Sequence, residues 1–167
     1  EISLQTLPLM PHLISREQAM SEILNAEKAG LCLICNLLDD ISMPVLYRGI
    51  YASVLLSKYP RFWGQTMICL HRHIEKFEEL QQAEWEETSK LTLQFAKKIE
   101  QQLKPARVFA AALGSTQPLL HTCPNLHINL IPVYDETLKP DVVFTWANGV
   151  YAGDETEWET LAEQLRD

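Results

Sequence analysis

The stretch "PNLHINLIP", residues 124–132, decides the fold. Alternate side chains of a β-strand point to opposite faces. One face would carry the apolar side chains of Leu126, Ile128 and Leu130, and the other the polar side chains of Asn125, His127 and Asn129. A buried polar group without a partner costs about 1 to 3 kcal/mol. The polar face is therefore either exposed to solvent, as in many antiparallel sheets, or in contact with a ligand, water or neighbouring side chains.

The chain before this strand contains helix and strand signals in groups. Ser15 with Gln18 forms a capping-box pattern and Gly30 is a typical stop, which predicts a helix over residues 16–28. "GLCLICNLL", residues 30–38, is compatible with a strand or with a turn that holds the cysteine pair. Further strands are predicted in "VLYRGIYASVLLS" (45–57, broken near Gly49), "GQTMICL" (64–70) and "RVFAAALG" (107–114).

Two amphipathic helices complete the pattern. Apolar residues recur at every fourth position from Leu91 to Leu103, which predicts a long helix over Ala83–Leu103 that Pro105 ends. A second apolar stripe near the C-terminus predicts a helix with Asp154 as N-cap. Trp85 and Trp158, one on each helix, are expected in the core. This grouping favours an α+β domain with an antiparallel sheet over βαβ alternation.

Composition and charge exclude several classes. The chain has 167 residues, 47% hydrophobic and 22% charged, as in a soluble globular domain that folds without staples. A net charge of −8 without a basic stripe argues against a duplex nucleic-acid partner. No apolar run reaches the roughly 18 residues of a membrane span, and no secretory signal is visible. With a Cys-x-x-Cys pair and no glycosylation acceptor, these features favour the cytoplasm.

The segment "HTCPNLHINLIP", residues 121–132, resembles the signature of the histidine triad family, His-φ-His-φ-His-φ-φ with φ apolar. His127 falls on the middle histidine, Asn125 on the first and Asn129 on the third, while His121 replaces a preceding Gln. The segments "LSKYPRFWGQTMICLHRHIEKFEEL" (56–80) and "CLIC" (32–35) are also similar to the family pattern. The resemblance implies one domain over residues 1–167, with a core at about 30–133 and a C-terminal extension with a helix over 134–167.

The resemblance also implies a chemistry. In the family the middle histidine attacks the α-phosphorus of a nucleotide and forms a covalent nucleotidyl-histidine, so His127 is expected to be the nucleophile. An amide is not a general acid near neutral pH, so Asn129 is expected to hold a phosphoryl oxygen instead of protonating the leaving group. His121 and His71 are candidates for the missing acid, and Asn125 is a further site residue by its position in the triad.

Further candidate residues concern the ligand and a metal, and only some of them rest on the resemblance. Ser57 stands where the family has an acidic residue for the ribose hydroxyls, and Trp63 and Gly114 are further candidates for substrate contact. Cys32, Cys35 and His73 are three possible zinc ligands. The fourth position is Asn125, a poor ligand, for which His121 or Cys123 are possible substitutes. The alternative is that the cysteines are simply buried and that His73 is a surface residue.

Three functional hypotheses stay open at this point. The first is a nucleotide hydrolase, phosphorylase or nucleotidyltransferase, with substrates such as diadenosine polyphosphates. The second is a nucleotide-binding module that has lost turnover, because two triad histidines are Asn. The third is a zinc-stabilised interaction domain without nucleotide affinity. The resemblance further implies a homodimer with a small-molecule nucleotide as partner.

Overall fold

In the computed structural model, residues 10–28, 32–39, 43–114, 125–145 and 148–166 are described. The helices are α1 (Arg16–Lys28), α2 (Leu33–Asp39), α3 (Gln82–Leu103), α4 (Pro140–Val143) and α5 (Glu155–Leu165). The strands are β1 (His12–Ile14), β2 (Val45–Arg48), β3 (Ala52–Leu56), β4 (Thr66–Leu70), β5 (Arg107–Ala111), β6 (His127–Val133) and β7 (Val150–Ala152). None of the described helices is both long enough and apolar enough to span a membrane.

The main sheet is antiparallel throughout and has the strand order β2-β3-β4-β6-β5. The strand that the polar and apolar alternation predicts, β6, therefore lies inside the sheet, between β4 and β5. Its register pairs His127 with Cys69 and Asn129 with Met67. A separate pair, β1 with β7, joins the N-terminal segment to the C-terminal region. The predicted α+β class with an antiparallel sheet, a long amphipathic helix and flanking helices is confirmed.

Helix α3 covers one face of this sheet. It contacts strands β3, β4, β5 and β6, and its side chains Leu91, Phe95 and Ile99 are buried, as their spacing predicts. Ile128 and Leu130 of β6 belong to the same core. Helices α1 and α2 lie over the opposite face, where residues of both helices surround a cavity that His127 and Asn129 also line.

Local signals at the helix ends act as predicted. Ser15 Oγ accepts a hydrogen bond from the Gln18 N–H at 3.1 Å, and Asp154 accepts one from the Glu157 N–H at 2.8 Å. Two expectations were wrong. "GLCLICNLL" contains helix α2 instead of a strand or turn, because Ile34, Leu37 and Leu38 recur at helical spacing and are buried together. Trp85 is 44% exposed on α3 and packs edge-on against Phe77 outside the core, whereas Trp158 is buried as predicted.

Candidate functional site

The polar face of β6 is buried. His127 is 9% exposed, and Asn125 and Asn129 are still less exposed. Of the two alternatives that the periodicity left open, solvent exposure is therefore wrong, and these side chains need partners inside the protein or in a ligand. The structure supplies a specific protein partner for each of the three.

His127 is held by the chain segment just before it. Its Nδ1 lies 2.7 Å from the backbone carbonyl oxygen of Asn125. Because a carbonyl oxygen only accepts, Nδ1 carries the hydrogen, and in the neutral ring Nε2 carries the lone pair. Burial lowers the pKa of His127, and the nearby charge of Arg61 lowers it further, against the opposing effect of the Asn125 carbonyl. The neutral form of the ring is therefore favoured more than in an ordinary histidine.

Asn129 is held by a turn between β3 and β4. Gln65 Nε2 lies 3.1 Å from Asn129 Oδ1, and Gln65 Oε1 accepts a hydrogen bond from the Arg61 backbone N–H at 2.9 Å. The turn closes through the Gln65 N–H and the Phe62 carbonyl at 3.0 Å. Gly64 occupies the third turn position with φ of +99°, a conformation that an L side chain rarely adopts. A side chain at Gly64 would also collide with Leu103 of α3.

A cavity of about 360 Å³ opens over His127 and Asn129. Its positively charged lining residues are Arg16, Lys58 and Arg61, and among the described lining residues there is no carboxyl group. Burial lowers the pKa of Arg61 to about 10, which still leaves the guanidinium charged at neutral pH. The apolar residues that line the cavity are Met20, Ile23, Leu33, Ile34, Leu37, Met67, Leu113 and Phe144. The cavity thus combines an apolar wall with positive charge beside an imidazole.

A second cluster lies on the other side of Asn125. The Sγ atoms of Cys32 and Cys35 and a ring nitrogen of His73 lie within 4.8 Å of one another. Asn125 Nδ2 lies 3.4 Å from each sulfur and 3.2 Å from His73 Nδ1. Burial raises the pKa of Cys32, but hydrogen bonds from the Cys35 N–H and the Asn125 side chain outweigh it and lower the pKa to about 7. Burial and the neighbouring Cys32 raise the pKa of Cys35 to about 11.

These distances fit a metal site in part. In a tetrahedral zinc site, with Zn–S of about 2.3 Å and Zn–N of about 2.0 Å, neighbouring ligand atoms lie about 3.5 Å apart. Cys35 Sγ and His73 Nδ1 lie 3.4 Å apart. Asn125, which stands at the family's fourth ligand position according to the resemblance, lies beside the three donor atoms through its Nδ2, and its Oδ1 is buried without a hydrogen bond from any described residue. Two thiols and an imidazole form a donor set that zinc prefers.

The remaining predicted residues divide into three groups. Ser57 is buried and lines the cavity. Trp63 and Gly114 do not line it: Trp63 lies in the core with its ring centroid 4.5 Å from that of Trp158, and Gly114 follows the lining residue Leu113. His121 and Cys123 lie outside the described residues, so their predicted roles stay predictions.

Two residues of the site, Gln65 and Arg61, were not among the predicted site residues. Gln65 was placed in the predicted strand "GQTMICL", residues 64–70, whereas the structure begins β4 at Thr66 and places Gln65 at the end of the preceding turn. A signal was present, because Gln65 is polar and directly precedes a strand whose pattern is otherwise apolar. The pairing of β4 with β6 that brings Gln65 to Asn129 was not visible in the sequence.

Comparison with known proteins rests on structure. No family model and no curated protein sequence matches the chain. A hypothetical histidine triad nucleotide-binding protein from Sulfolobus tokodaii superposes with a TM-score of 0.62 and 21% identity, covering 81% of this chain and 89% of that one. A zinc-bound histidine triad family protein from Mycobacterium smegmatis gives a TM-score of 0.62 at 14% identity, covering 82% and 94% of the two chains. A Hit-like protein from Bartonella henselae, described as involved in cell-cycle regulation and solved with an unknown ligand, gives 0.61 at 14% identity, covering 78% and 90%.

Proposed function

We propose that this chain, which has the histidine triad fold, binds a small-molecule nucleotide and transfers its nucleotidyl group through a covalent adduct on His127. The observation that carries the proposal is the 2.7 Å contact between His127 Nδ1 and the Asn125 carbonyl oxygen. This contact fixes the tautomer with the lone pair on Nε2, and the ring lines a cavity with cationic side chains. A neutral, oriented imidazole is what nucleophilic attack on phosphorus requires.

The reaction would proceed in two displacements. Nε2 of His127 attacks the α-phosphorus and forms a P–N bond, while the P–O bond to the leaving group breaks and its electron pair departs with the leaving oxygen. Water or another acceptor then attacks the same phosphorus, the P–N bond breaks with return of the electron pair to Nε2, and an attacking water releases its proton to solvent. Asn129 would donate hydrogen bonds to a non-bridging oxygen, and Arg61 would balance its charge.

The cavity also favours a class of leaving group. Among the described lining residues there is no carboxyl group and no second imidazole, so beside His127 these residues offer none of the side-chain types that most often act as general acids. A phosphate leaves without prior protonation, whereas an alkoxide or amine does not. We therefore place phosphoanhydrides such as diadenosine polyphosphates ahead of esters and amidates, with hydrolysis and phosphorolysis as the two possible outcomes.

The first experiment is a substrate panel. Wild type and His127→Ala are incubated with dinucleoside polyphosphates, nucleotide sugars and adenylyl amidates, with and without phosphate, and released nucleotide is measured. Release from polyphosphates by wild type alone supports the proposal, and a requirement for phosphate identifies a phosphorylase. His12→Ala is the matched control, since His12 is an exposed histidine of β1. Equal release by wild type and His127→Ala contradicts the proposal.

A second candidate is a nucleotide-binding module without turnover. Asn125 and Asn129 in place of histidines favour it, because neither amide titrates near neutral pH. For the same panel of compounds, this candidate predicts that a nucleotide raises the melting temperature of the wild type. The nucleotide itself should be recovered unchanged.

We also propose that Cys32, Cys35 and His73 hold zinc. The 3.4 Å separation of Cys35 Sγ and His73 Nδ1 supports this, as does the fold shared with a zinc-bound protein. Bound zinc would supply structural cross-linking of α2 to the segment after β4. We expect up to one zinc per chain by elemental analysis and its loss in Cys35→Ser. Cys69→Ala is the matched control, because Cys69 is a buried cysteine on β4 that is not in the cluster. Zinc-free protein contradicts the proposal and also excludes the hypothesis of a zinc-stabilised interaction domain, which binding of a nucleotide would exclude as well.

Association into a homodimer stays a prediction. Light scattering on the purified chain, which measures molar mass directly, tests it against the 19.1 kDa of one chain.

A further inference from the structure

Two hydrogen bonds in series set the orientation of the Asn129 side chain. The Arg61 backbone N–H lies 2.9 Å from Gln65 Oε1. A backbone N–H only donates, so the Gln65 atom that faces it must be the oxygen. The nitrogen of Gln65 is then the atom that lies 3.1 Å from Asn129. Since that nitrogen only donates, the Asn129 atom that faces it must be Oδ1, and Nδ2 is left for other partners. The usual ambiguity of carboxamide orientation is thereby removed at both residues.

We infer that Gln65 is a positioning residue that turns Asn129 Nδ2 toward the phosphoryl group of the substrate. The inference rests on the proposed function and adds to it a residue that the resemblance did not identify. With Oδ1 already accepting from Gln65, Asn129 presents its two N–H donors as the remaining hydrogen-bonding groups. His127 and Asn129 both line the cavity, two residues apart on the same face of β6.

Gln65 is itself rigidly held. Its N–H donates to the Phe62 carbonyl at 3.0 Å, and its carbonyl accepts from the Ser57 N–H at 2.9 Å. Its side chain is buried, with 2% of the residue exposed. The backbone N–H and carbonyl of Gln65 and both ends of its carboxamide are thus hydrogen-bonded. Gly64, which precedes Gln65 in the turn, adopts the left-handed conformation. A carboxamide held at this many points loses little freedom when a ligand binds, as preorganisation requires.

The orientation matters because the two ends of a carboxamide have opposite effects on an anion. Nδ2 donates to a phosphoryl oxygen, and this bond strengthens as negative charge develops in the transition state. Oδ1 in the same place would present a lone pair to that oxygen and repel it. Without Gln65 both orientations of Asn129 become accessible, and part of the population would be unable to bind phosphate.

A double-mutant cycle tests this inference. Affinity for adenosine 5′-monophosphate is measured by calorimetry for wild type, Gln65→Met, Asn129→Ala and the double variant. We expect each single variant to bind roughly tenfold more weakly, as for loss of a hydrogen bond to a charged group. Gln65→Met should cost less than about twofold in the Asn129→Ala background, because its effect passes through Asn129. Losses that multiply in the double variant would overturn the inference, since a merely structural role for Gln65 would persist without Asn129.

A second measurement separates this inference from the proposed function. In ¹⁵N-labelled protein without ligand, the Gln65 carboxamide protons should shift on Asn129→Ala, whereas Gln101→Met, on the exposed face of α3, should leave them unchanged. Adding adenosine 5′-monophosphate should shift the Asn129 carboxamide protons. If the Gln65 carboxamide signal does not shift in Asn129→Ala, the inference that Gln65 orients Asn129 is overturned, even if nucleotide binds. If the Gln65 signal shifts in Asn129→Ala but the protein has no nucleotide affinity, the orientation of the Asn129 amide is supported and the proposed function is rejected.

Discussion

The two faces of strand β6 are buried to the same degree and carry opposite chemistry. His127 is 9% exposed and Ile128 is 8% exposed, although they point in opposite directions. Ile128 and Leu130 pack in the core that α3 covers, whereas His127 and Asn129 line the cavity under α1 and α2. Burial alone therefore does not distinguish a structural face from a functional one; the hydrogen-bond partners do.

The partners differ in how specific they are. The face toward α3 is stabilised by apolar contact, which is non-directional and tolerates substitutions of similar volume. On the other face, two polar side chains are each oriented by a directional hydrogen bond: His127 by the Asn125 carbonyl, and Asn129 by Gln65. Burying such groups gains little net stability. Their presence in the centre of a sheet is therefore better explained by ligand chemistry than by folding.

The largest predicted effect concerns His127. If the polar face carries the chemistry, His127→Ala should lower nucleotide release by at least about 10³-fold, as for removal of a nucleophile. The free energy of unfolding should change by less than about 2 kcal/mol, since the loss is one hydrogen bond and a buried ring that borders a cavity instead of a close-packed core. Turnover of a phosphoanhydride and urea unfolding measure the two quantities. If His127→Ala does not fold, His127 is required for stability as the apolar face is, and the contrast between the two faces of β6 is lost.

The apolar face should give the reverse pattern. Leu130 is fully buried, and Leu130→Ala should lower the free energy of unfolding by about 2 to 5 kcal/mol through loss of contacts and creation of a cavity. The fraction that remains folded should still release nucleotide within about threefold of the wild-type rate. Urea denaturation combined with activity per folded molecule checks this. A 10³-fold loss per folded molecule would show that the two faces are not separable.

A pH series sharpens the comparison, because only the polar face contains a group that titrates. The folded pKa of His127 is lowered by burial, so below about pH 6.5 the unfolded chain takes up a proton that the folded chain does not. Stability should therefore fall as the pH decreases below 6.5, by at most about 1.4 kcal/mol per pH unit from this residue. His127→Gln should reduce this dependence in urea unfolding between pH 5 and pH 8, and identical slopes would contradict it.

The same lowered pKa has a consequence for turnover. The nucleophile stays neutral into mildly acidic conditions, so the acid limb of kcat/KM should have its midpoint below 6.5. Arg61→Met removes a positive charge that contributes to the lowering and should move the midpoint upward. A midpoint that does not move in this variant would show that the limb reports another group.

The alternation in β6 and the spacing on α3 were sufficient to predict the core of the fold. Both are long patterns in which many residues agree. Helix α2 was not predicted, because a short apolar run fits a strand as well as a helix. Strands β1 and β7 have three residues each, too few to show any period. Trp85 was expected in the core because it lies on an amphipathic helix, although it precedes Phe95, at the centre of the buried stripe, by ten residues and so lies about 80° away from it at 100° per residue.

The site was predictable to the extent that it is local in sequence. His127 and Asn129 lie together in one strand. The resemblance to the histidine triad family predicted that Asn125 lies beside Cys32, Cys35 and His73. Gln65 was missed because its role depends on the register of β4 against β6, which pairs Met67 with Asn129. That register is set by tertiary packing, so the polar character of Gln65 beside an apolar strand did not show which residue it contacts.

A helix cap outside both faces provides the smallest effect and calibrates the others. Asp154 and Glu157 form a reciprocal capping box at the start of α5, with both hydrogen bonds at 2.8 Å. Asp154→Ala should lower the free energy of unfolding by about 1 kcal/mol, which corresponds to roughly 2 to 4 °C in melting temperature for a chain of this size. Calorimetry measures the shift.

Turnover in Asp154→Ala should match the wild type, because α5 lines no part of the cavity in the described residues. This variant therefore shows how much activity a modest loss of stability removes by itself. If turnover falls severalfold, part of any effect of His127→Ala must be attributed to stability. If it does not, the separation between the two faces of β6 stands, with stability carried by Ile128 and Leu130 and chemistry by His127 and Asn129.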